Sequence, residues 1–560
     1  MLLFALSILS ANPVKVHPID SSIHEAITSL YIAEGLSLPS TAAPWGSDEL
    51  SLMLSRLDEH SLSLDSLDTY RYVVEELKKD LPPFSLKAQV AGEIYLHTDT
   101  TSFTDNEDWI YNYEDRKPVA SVPMEISLAD FFYAFISFDL ANGKYDQKTS
   151  VTTGTSTLFG KYHATSNFFH FWRTEDELVI DANIPYLAFG ALGGKSWLFE
   201  IGRDKLSWGP GTTGNFMLGD HLQYHNQGRF TAYSDSFKYT FVTSFFPHPD
   251  EIWNADQDDL LDSGETYNAI TNPVVPSYGQ ARPLVGLKLF MAHRFEWRLF
   301  NDKVGLSLSE GIMYQSPDGD IDLRILNPFM LYHNYFIRSN ANSMATMELD
   351  YAFSPSWNLY GEMVVDELSF GSTEANLTSG RHPDGVGLML GLKMAKPYKG
   401  GMLYGSLEGV RTDPYLYLRS LDGDADQTGV DDTLNFVVAI RRWLPDTLIY
   451  DQSYMGYEYG GDAYVGNLVV GYKRYGEYAL QGNLFYMAHG QVSMDTNWER
   501  DKLSDTPTGE ANHYIDIGFT ASIYLTPSWE AYAGLDWLAK IEHYVPSYDV
   551  QFMFGIQYAF

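Results

Sequence analysis

Cysteine is missing from all 560 residues. No disulfide framework can therefore hold the chain, which fits an exported protein that avoids stray thiols without demanding one. Positive charge is also scarce: 37 Lys and Arg stand against 73 Asp and Glu, a formal net charge of -36. That balance argues strongly against nucleic acid or anionic lipid surfaces as partners and leaves cations and neutral polar ligands open. Uncharged apolar runs of about 18 residues, the length a membrane helix needs, do not occur. A spanning β-barrel is untouched by this absence, because only alternate residues of its strands face lipid. Catalytic signatures are missing as well. The chain has no G-x-S-x-G, no H-E-x-x-H and no phosphate-cradling glycine loop, and its 15 histidines are scattered. No catalytic residue and no cofactor is implied, and the expectation is a protein that is not an enzyme, with a barrel-embedded hydrolase as the least favoured alternative.

What the chain has in abundance is aromatic residues, 39 Tyr, 32 Phe and 12 Trp. From Phe84 onward they fall into a two-residue period. Ile515, Ile517, Phe519, Ala521 and Ile523 alternate with Asp516, Gly518, Thr520 and Ser522, and Trp529, Ala531, Ala533, Leu535 and Trp537 alternate with Glu530, Tyr532, Gly534 and Asp536. Such runs of about ten residues suit a tilted strand crossing the hydrocarbon layer. Charges on the second face would be ruinous in a sandwich core but normal in a wet lumen. The junctions Pro355-Ser356-Trp357 and Pro527-Ser528-Trp529 are tight turns followed by a Trp at headgroup depth. Opposite them stand long acidic connections, 249–265 and 421–432. Short turns at one end and long loops at the other are the asymmetry of outer-membrane barrels, and residues 84–560 make on the order of 16 to 20 strands. The chain stops at Phe560 inside a strand pattern, where Val550, Phe552, Phe554, Ile556 and Tyr558 share its face. Closing a barrel on its first strand explains such an ending.

Before the strands the period changes to about 3.6. Ile23, Ala26, Ile27, Leu30 and Tyr31 form one stripe behind the capping box Ser22 to Glu25; Leu50, Met53, Leu54 and Leu57 form a second behind Ser47; Leu67, Tyr70, Val74 and Leu77 form a third. Residues 19–80 are therefore a three-helix unit, too small to stand alone and expected to rest on the barrel. The alternative is a free-standing wall-binding domain, since the stretch resembles an S-layer-homology unit, but Pro82-Pro83 leads into the strands without a flexible spacer. Residues 1–11 read as a signal peptide with an apolar core from Leu2 to Leu9 and no preceding base.

Sugars are bound by stacking on aromatic rings while carboxylates and amides take their hydroxyls. Two stretches have that makeup and nominate Trp109, Tyr111 and Tyr113, and Tyr454, Tyr457 and Tyr459; membrane-girdle tyrosines are the competing reading. Asn327, His333 and Asn334 add amides and an imidazole in an aromatic setting. Asn254, Asp256, Asp258 and Glu265 hold the first, third, fifth and twelfth places of a calcium loop, with Asp259 where its turn glycine belongs.

Three segments carry a family resemblance: GRDKLSWGPGTTGNFMLGD (202–220), HRFEWRLFNDKVGLSLSEGIMYQ (293–315) and LRILNPFMLYHNYF (323–336). Behind a three-helix unit, this order resembles the capsule-assembly Wzi family of outer-membrane proteins. The resemblance implies an all-β fold, a closed antiparallel transmembrane β-barrel of about eighteen strands, with N-terminal helices over its periplasmic mouth. It also implies a lectin-like role in holding a surface polysaccharide. A terminal Phe on such a strand looks like the signature read by the outer-membrane assembly machinery. The sequence expectation is thus a monomeric outer-membrane surface protein whose partners are a polysaccharide, lipid and that machinery, with an outer-membrane porin or specific channel as the alternative.

Overall fold

In lipid every backbone polar group must be paired, and only a closed sheet has no edge. The computed structural model describes residues 12–79, 81–99, 102–103, 110–111, 116–140, 163–167, 187–248, 286–316, 320–327, 331–332, 341–367, 384–418, 434–444, 447–494, 496 and 505–560. Among them twenty antiparallel strand segments close into one eighteen-strand barrel. The seam joins Val545–Ala559 to Gln89–His97, with Phe554 opposite Ile94, and the Phe560 N–H reaches the Ala88 carbonyl at 2.8 Å. Val550, Phe552, Phe554 and Ile556 are exposed on the outer face, while Gln551, Met553 and Gly555 turn inward. The alternation read from the sequence is the division between lipid and lumen.

Short turns gather at one end of the barrel, among them those joining Ala341–Ser354 to Trp357–Glu367 and Asn512–Thr526 to Trp529–Glu542. Against this end pack helices α1 (Ser22–Ala33), α2 (Ser47–Ser55) and α3 (Leu64–Lys78). They share one apolar core in which Ile27, Leu30, Leu50, Leu54 and Val73 are buried, together with Met402 of the wall. Polar contacts fix the unit to the turns. Ser356 N–H donates to the Ile32 carbonyl at 2.8 Å, Ser196 N–H to Asp48 at 3.0 Å and Gly400 N–H to Asp65 at 3.0 Å, while Arg56 pairs with Asp302 and Lys473 with Glu25. The unit is a cap docked on the barrel rather than a domain on a tether.

Two helix starts differ from the sequence reading. The N-cap of α1 is Ser21, one residue early and without a side-chain cap bond, and the N-cap of α2 is Gly46. Ser47 is drawn away from capping because its hydroxyl meets His17 Nε2 at 2.8 Å. A true side-chain cap stands at α3, where Ser63 accepts from the Ser66 N–H at 3.0 Å.

This docking buries two histidines. The His24 ring stacks on Trp45 at 4.0 Å and donates to the His17 carbonyl at 3.1 Å. Burial holds His24 down to about 3 and His17 well below its ordinary value, each helped by nearby positive charge. Groups with depressed folded values contribute stability that is present above 6.5 and lost as pH falls toward the folded value, at about 1.4 kcal/mol per pH unit for each group. Glu49, pushed up by burial, works in the opposite direction from 4.5 upward, one carboxyl against two imidazoles. Hydrogen-exchange protection of residues 19–80 should therefore fall between pH 7.5 and pH 5 while the barrel strands stay protected. Unchanged protection of the helices across that range would defeat the assignment.

Candidate functional site: a lumen filled from both ends

Between α1 and α2 the chain leaves the cap and climbs into the barrel. Residues 35–46, GLSLPSTAAPWG, carry no charge in a strongly acidic chain, which suits a segment that must be buried. Its backbone and hydroxyls are received by carboxylates on the wall. Leu38 N–H donates to Asp350 at 2.7 Å, Ser40 to Glu296 at 3.0 Å and Thr41 to Glu348 at 2.8 Å. Arg294, fully buried, donates to Glu348 at 2.8 Å and Glu296 at 3.2 Å, so the carboxylates that hold the arm are themselves neutralised. On the neighbouring wall Lys238 reaches Glu49 at 2.6 Å, and Arg229 bridges Glu200 and the Pro44 carbonyl, both at 2.6 Å.

From the opposite end the stretch after strand Trp197–Asp204 dives inward before the chain returns as His225–Tyr233. The Trp208-Gly209-Pro210-Gly211 turn makes this possible. Gly209 has φ +141°, and a Cβ there would lie 2.2 Å from Asn215 Oδ1, so no other residue fits. Glu408 then takes the Thr212 N–H at 2.8 Å, the Thr213 N–H at 2.9 Å, the Thr213 hydroxyl at 2.6 Å and the Tyr360 hydroxyl at 2.5 Å. Glu362 accepts the Phe216 N–H at 3.1 Å, and Lys393 donates to the Pro210 carbonyl at 2.5 Å. The two intrusions meet in mid-lumen: Ala42–Ala43 pairs antiparallel with Ser207–Trp208, and the Gly209 N–H donates to the Thr41 carbonyl at 2.9 Å. A buried apolar cluster of Leu38, Ala42, Trp208, Phe216, Met217 and Phe290 fills the space around them.

The sequence-nominated residues fall in several places. Tyr457 is 0% exposed and Tyr454 is 6% exposed. The Tyr457 hydroxyl meets Thr213 at 3.0 Å and its N–H donates to Tyr417, whose own hydroxyl reaches the Phe216 carbonyl at 2.7 Å. Burial raises the Tyr457 and Tyr417 phenols well above their ordinary value. These rings are neither free sugar platforms nor girdle residues; they lock the inward loop from above. Tyr459, half-buried, packs on Tyr457 at 5.5 Å and on Phe485 at 5.4 Å. Tyr111 lies away from them, inside the wall near Tyr95, Tyr532 and Met553. Asn327 is exposed at the end of the short turn Leu323–Leu326. Trp109, Tyr113, His333, Asn334, the calcium-loop residues Asn254, Asp256, Asp258 and Glu265, and the signal peptide 1–11 lie outside the described residues. His293 meets Glu310 at 3.3 Å under a stacked Tyr332 ring.

Sequence reading took in the glycine-proline turn only as part of the segment 202–220 and missed its anchors Glu408 and Glu362 and the whole arm of residues 35–46. The arm did leave a signal, its lack of charge. The anchors left none, because any inward carboxylate looks alike along one strand.

No family model and no curated protein sequence matches this chain. Among solved structures it is similar to Wzi, an outer-membrane protein involved in group 1 capsule assembly in Escherichia coli and described as a carbohydrate-binding β-barrel, with TM-score 0.59 and 12% identity over 97% of this chain and 98% of that one. More remote are a BenF-like porin from Pseudomonas fluorescens (TM-score 0.36, 10% identity, 85% of this chain and 98% of that one) and an anion-selective porin from Comamonas acidovorans (0.31, 10%, 85% and 99%). At these identities the likeness establishes the fold: this chain has the fold of an outer-membrane β-barrel.

Proposed function

We propose that the protein sits in the outer membrane of a diderm bacterium as a surface protein that binds or anchors an extracellular polysaccharide. One observation carries this reading. The lumen is occupied by interlocked chain from both ends, which suits a barrel used as a scaffold for its loops better than one used as an open pore. The likeness to a carbohydrate-binding barrel points the same way. In this reading the three helices face the periplasm, because they cover the short-turn end, and the glycan meets the long-loop end. The partners are the polysaccharide, the surrounding lipid and, during insertion, the assembly machinery; the protein acts as a monomer and as a binder rather than a catalyst.

Because the loops are acidic, a neutral or cation-bridged glycan is the better ligand than a bare polyanion. Purified protein is to be tested on a glycan panel with calcium and with chelator. Trp109→Ala, Tyr113→Ala and Tyr459→Ala should each weaken binding by about 1 kcal/mol or more if their rings stack on sugar. Tyr457→Ala should instead act on the inward loop, since that ring is buried. Absence of binding to any surface glycan of the native cell removes the polysaccharide reading.

A further inference from the structure

The plug does not touch the whole wall. Lumen-facing Arg294, Ser309 and Thr346 are buried against it, whereas lumen-facing Gln481, Tyr514 and Thr520, on the strands nearer the seam, are half-exposed. On this solvent-reached side three neighbouring strands, Tyr478–His489, Asn512–Thr526 and Trp529–Glu542, place Asn483, Gly518 and Asp536 directly opposite one another. Asp516 stands two residues from Gly518 on the same face.

Gly518, having no side chain, lets two oxygens from the flanking strands close over it. A Cβ on it would lie 2.2 Å from Asn483 Oδ1 and 2.5 Å from Asp536 Oδ1. Both oxygens thus lean over one point and are within about 5 Å of each other, the span of two oxygens across one calcium ion. Asn483 Nδ2 donates to Asp516 Oδ2 at 2.7 Å, which leaves the amide oxygen facing Gly518 and ties Asp516 to Asn483. Asp536 is 3% exposed, and Asp536 Oδ2 and Asp516 Oδ1 are buried without a hydrogen-bond partner among the described residues. Three plug-side carboxylates, Glu348, Asp350 and Glu408, differ in each receiving two or more donors, whereas Glu362 receives the Phe216 N–H and keeps a partnerless Oε2.

We propose that Asp516, Asp536 and Asn483 form a cation site on the lumen wall, selective for a hard ion of calcium size. Two carboxylates and an amide oxygen, without nitrogen or sulfur, are ligands for Ca²⁺ or Mg²⁺ rather than for softer metals. Mg²⁺ demands a tight octahedron, whereas Ca²⁺ accepts an irregular shell of few protein oxygens that water completes. The site is independent of the glycan reading and of the acidic loop 254–265, which would bind as a separate site.

Calorimetric titration of the metal-stripped full chain in detergent with Ca²⁺ tests it, with Mg²⁺ as competitor and heat-modifiable gel mobility as the control for folding. The double variant Asp516→Asn/Asp536→Asn should bind one Ca²⁺ fewer than the native protein, and Asn483→Ala, which keeps both charges, should weaken that site at least tenfold. Mg²⁺ should compete poorly. Equal stoichiometry and affinity in native protein and variants would overturn the site. Should the double variant lose its folded mobility, an unchanged titration of Asn483→Ala overturns the proposal and a weakened one supports it.

Discussion

Deleting residues 19–80 should turn a nearly silent barrel into a conducting one. The deletion removes more than the three helices over the mouth, because the arm of residues 35–46 leaves with them. Ser207–Trp208 then loses its partner strand Ala42–Ala43, and Glu296, Glu348 and Asp350 lose the donors of Ser40, Thr41 and Leu38. Carboxylates stripped of donors in a lumen draw in water and cations, since an unpaired buried charge is costly. Single-channel recording in planar bilayers should show little conductance for the intact chain and a clear, cation-preferring rise for the deletion. The rise should stop short of an open barrel, because the upper loop stays pinned on Glu408 and Glu362. Large, stable conductance from the intact protein would favour the porin alternative. No change on deletion would show that the upper loop seals the lumen alone.

How far the sequence carries depends on the range of the interaction. Lipid outside and water inside impose a two-residue alternation on every strand, so the wall, the seam at Phe560 and the inward Asp516 and Asp536 could be read from local pattern alone. The helices were legible for the same reason: a buried stripe recurs every three to four residues. The plug was not, because its bonds join residues far apart in the chain. Leu38 meets Asp350 across 312 positions, and Thr212 meets Glu408 across 196. Alternation says that Glu408 points inward and nothing about what it holds. Register is equally silent: Asn483, Gly518 and Asp536 converge only once three strands are aligned. Ser47 shows the same limit at short range, where His17 claims a hydroxyl that pattern had assigned to a helix cap. Composition misled at Tyr454 and Tyr457, since rings that lock a plug and rings that stack on sugar have the same surroundings of Gly, Asp and Tyr.

The Glu408→Ala substitution should release the upper loop while leaving the wall intact. This carboxylate collects two backbone N–H groups and the Thr213 hydroxyl from the loop and the Tyr360 hydroxyl from two strands away in the wall, and a hydrogen bond to a charged acceptor contributes about 1.5 kcal/mol or more. Removing the acceptor strands the Thr212 and Thr213 amides in the lumen, and the loss should reach about 3 kcal/mol or more, short of full additivity. The wall pays little, because the strand partners of Glu408, Gly391 and Asn467, are held by backbone ladders. Protease cleavage within residues 209–214 should therefore become faster, with heat-modifiable mobility unchanged, and in the background lacking residues 19–80 conductance should rise again. Glu408→Gln keeps one carbonyl acceptor and should fall between the two. Cleavage of Glu408→Ala at the native rate would show that Glu362, Lys393 and the Tyr417–Tyr457 pair hold the loop without it.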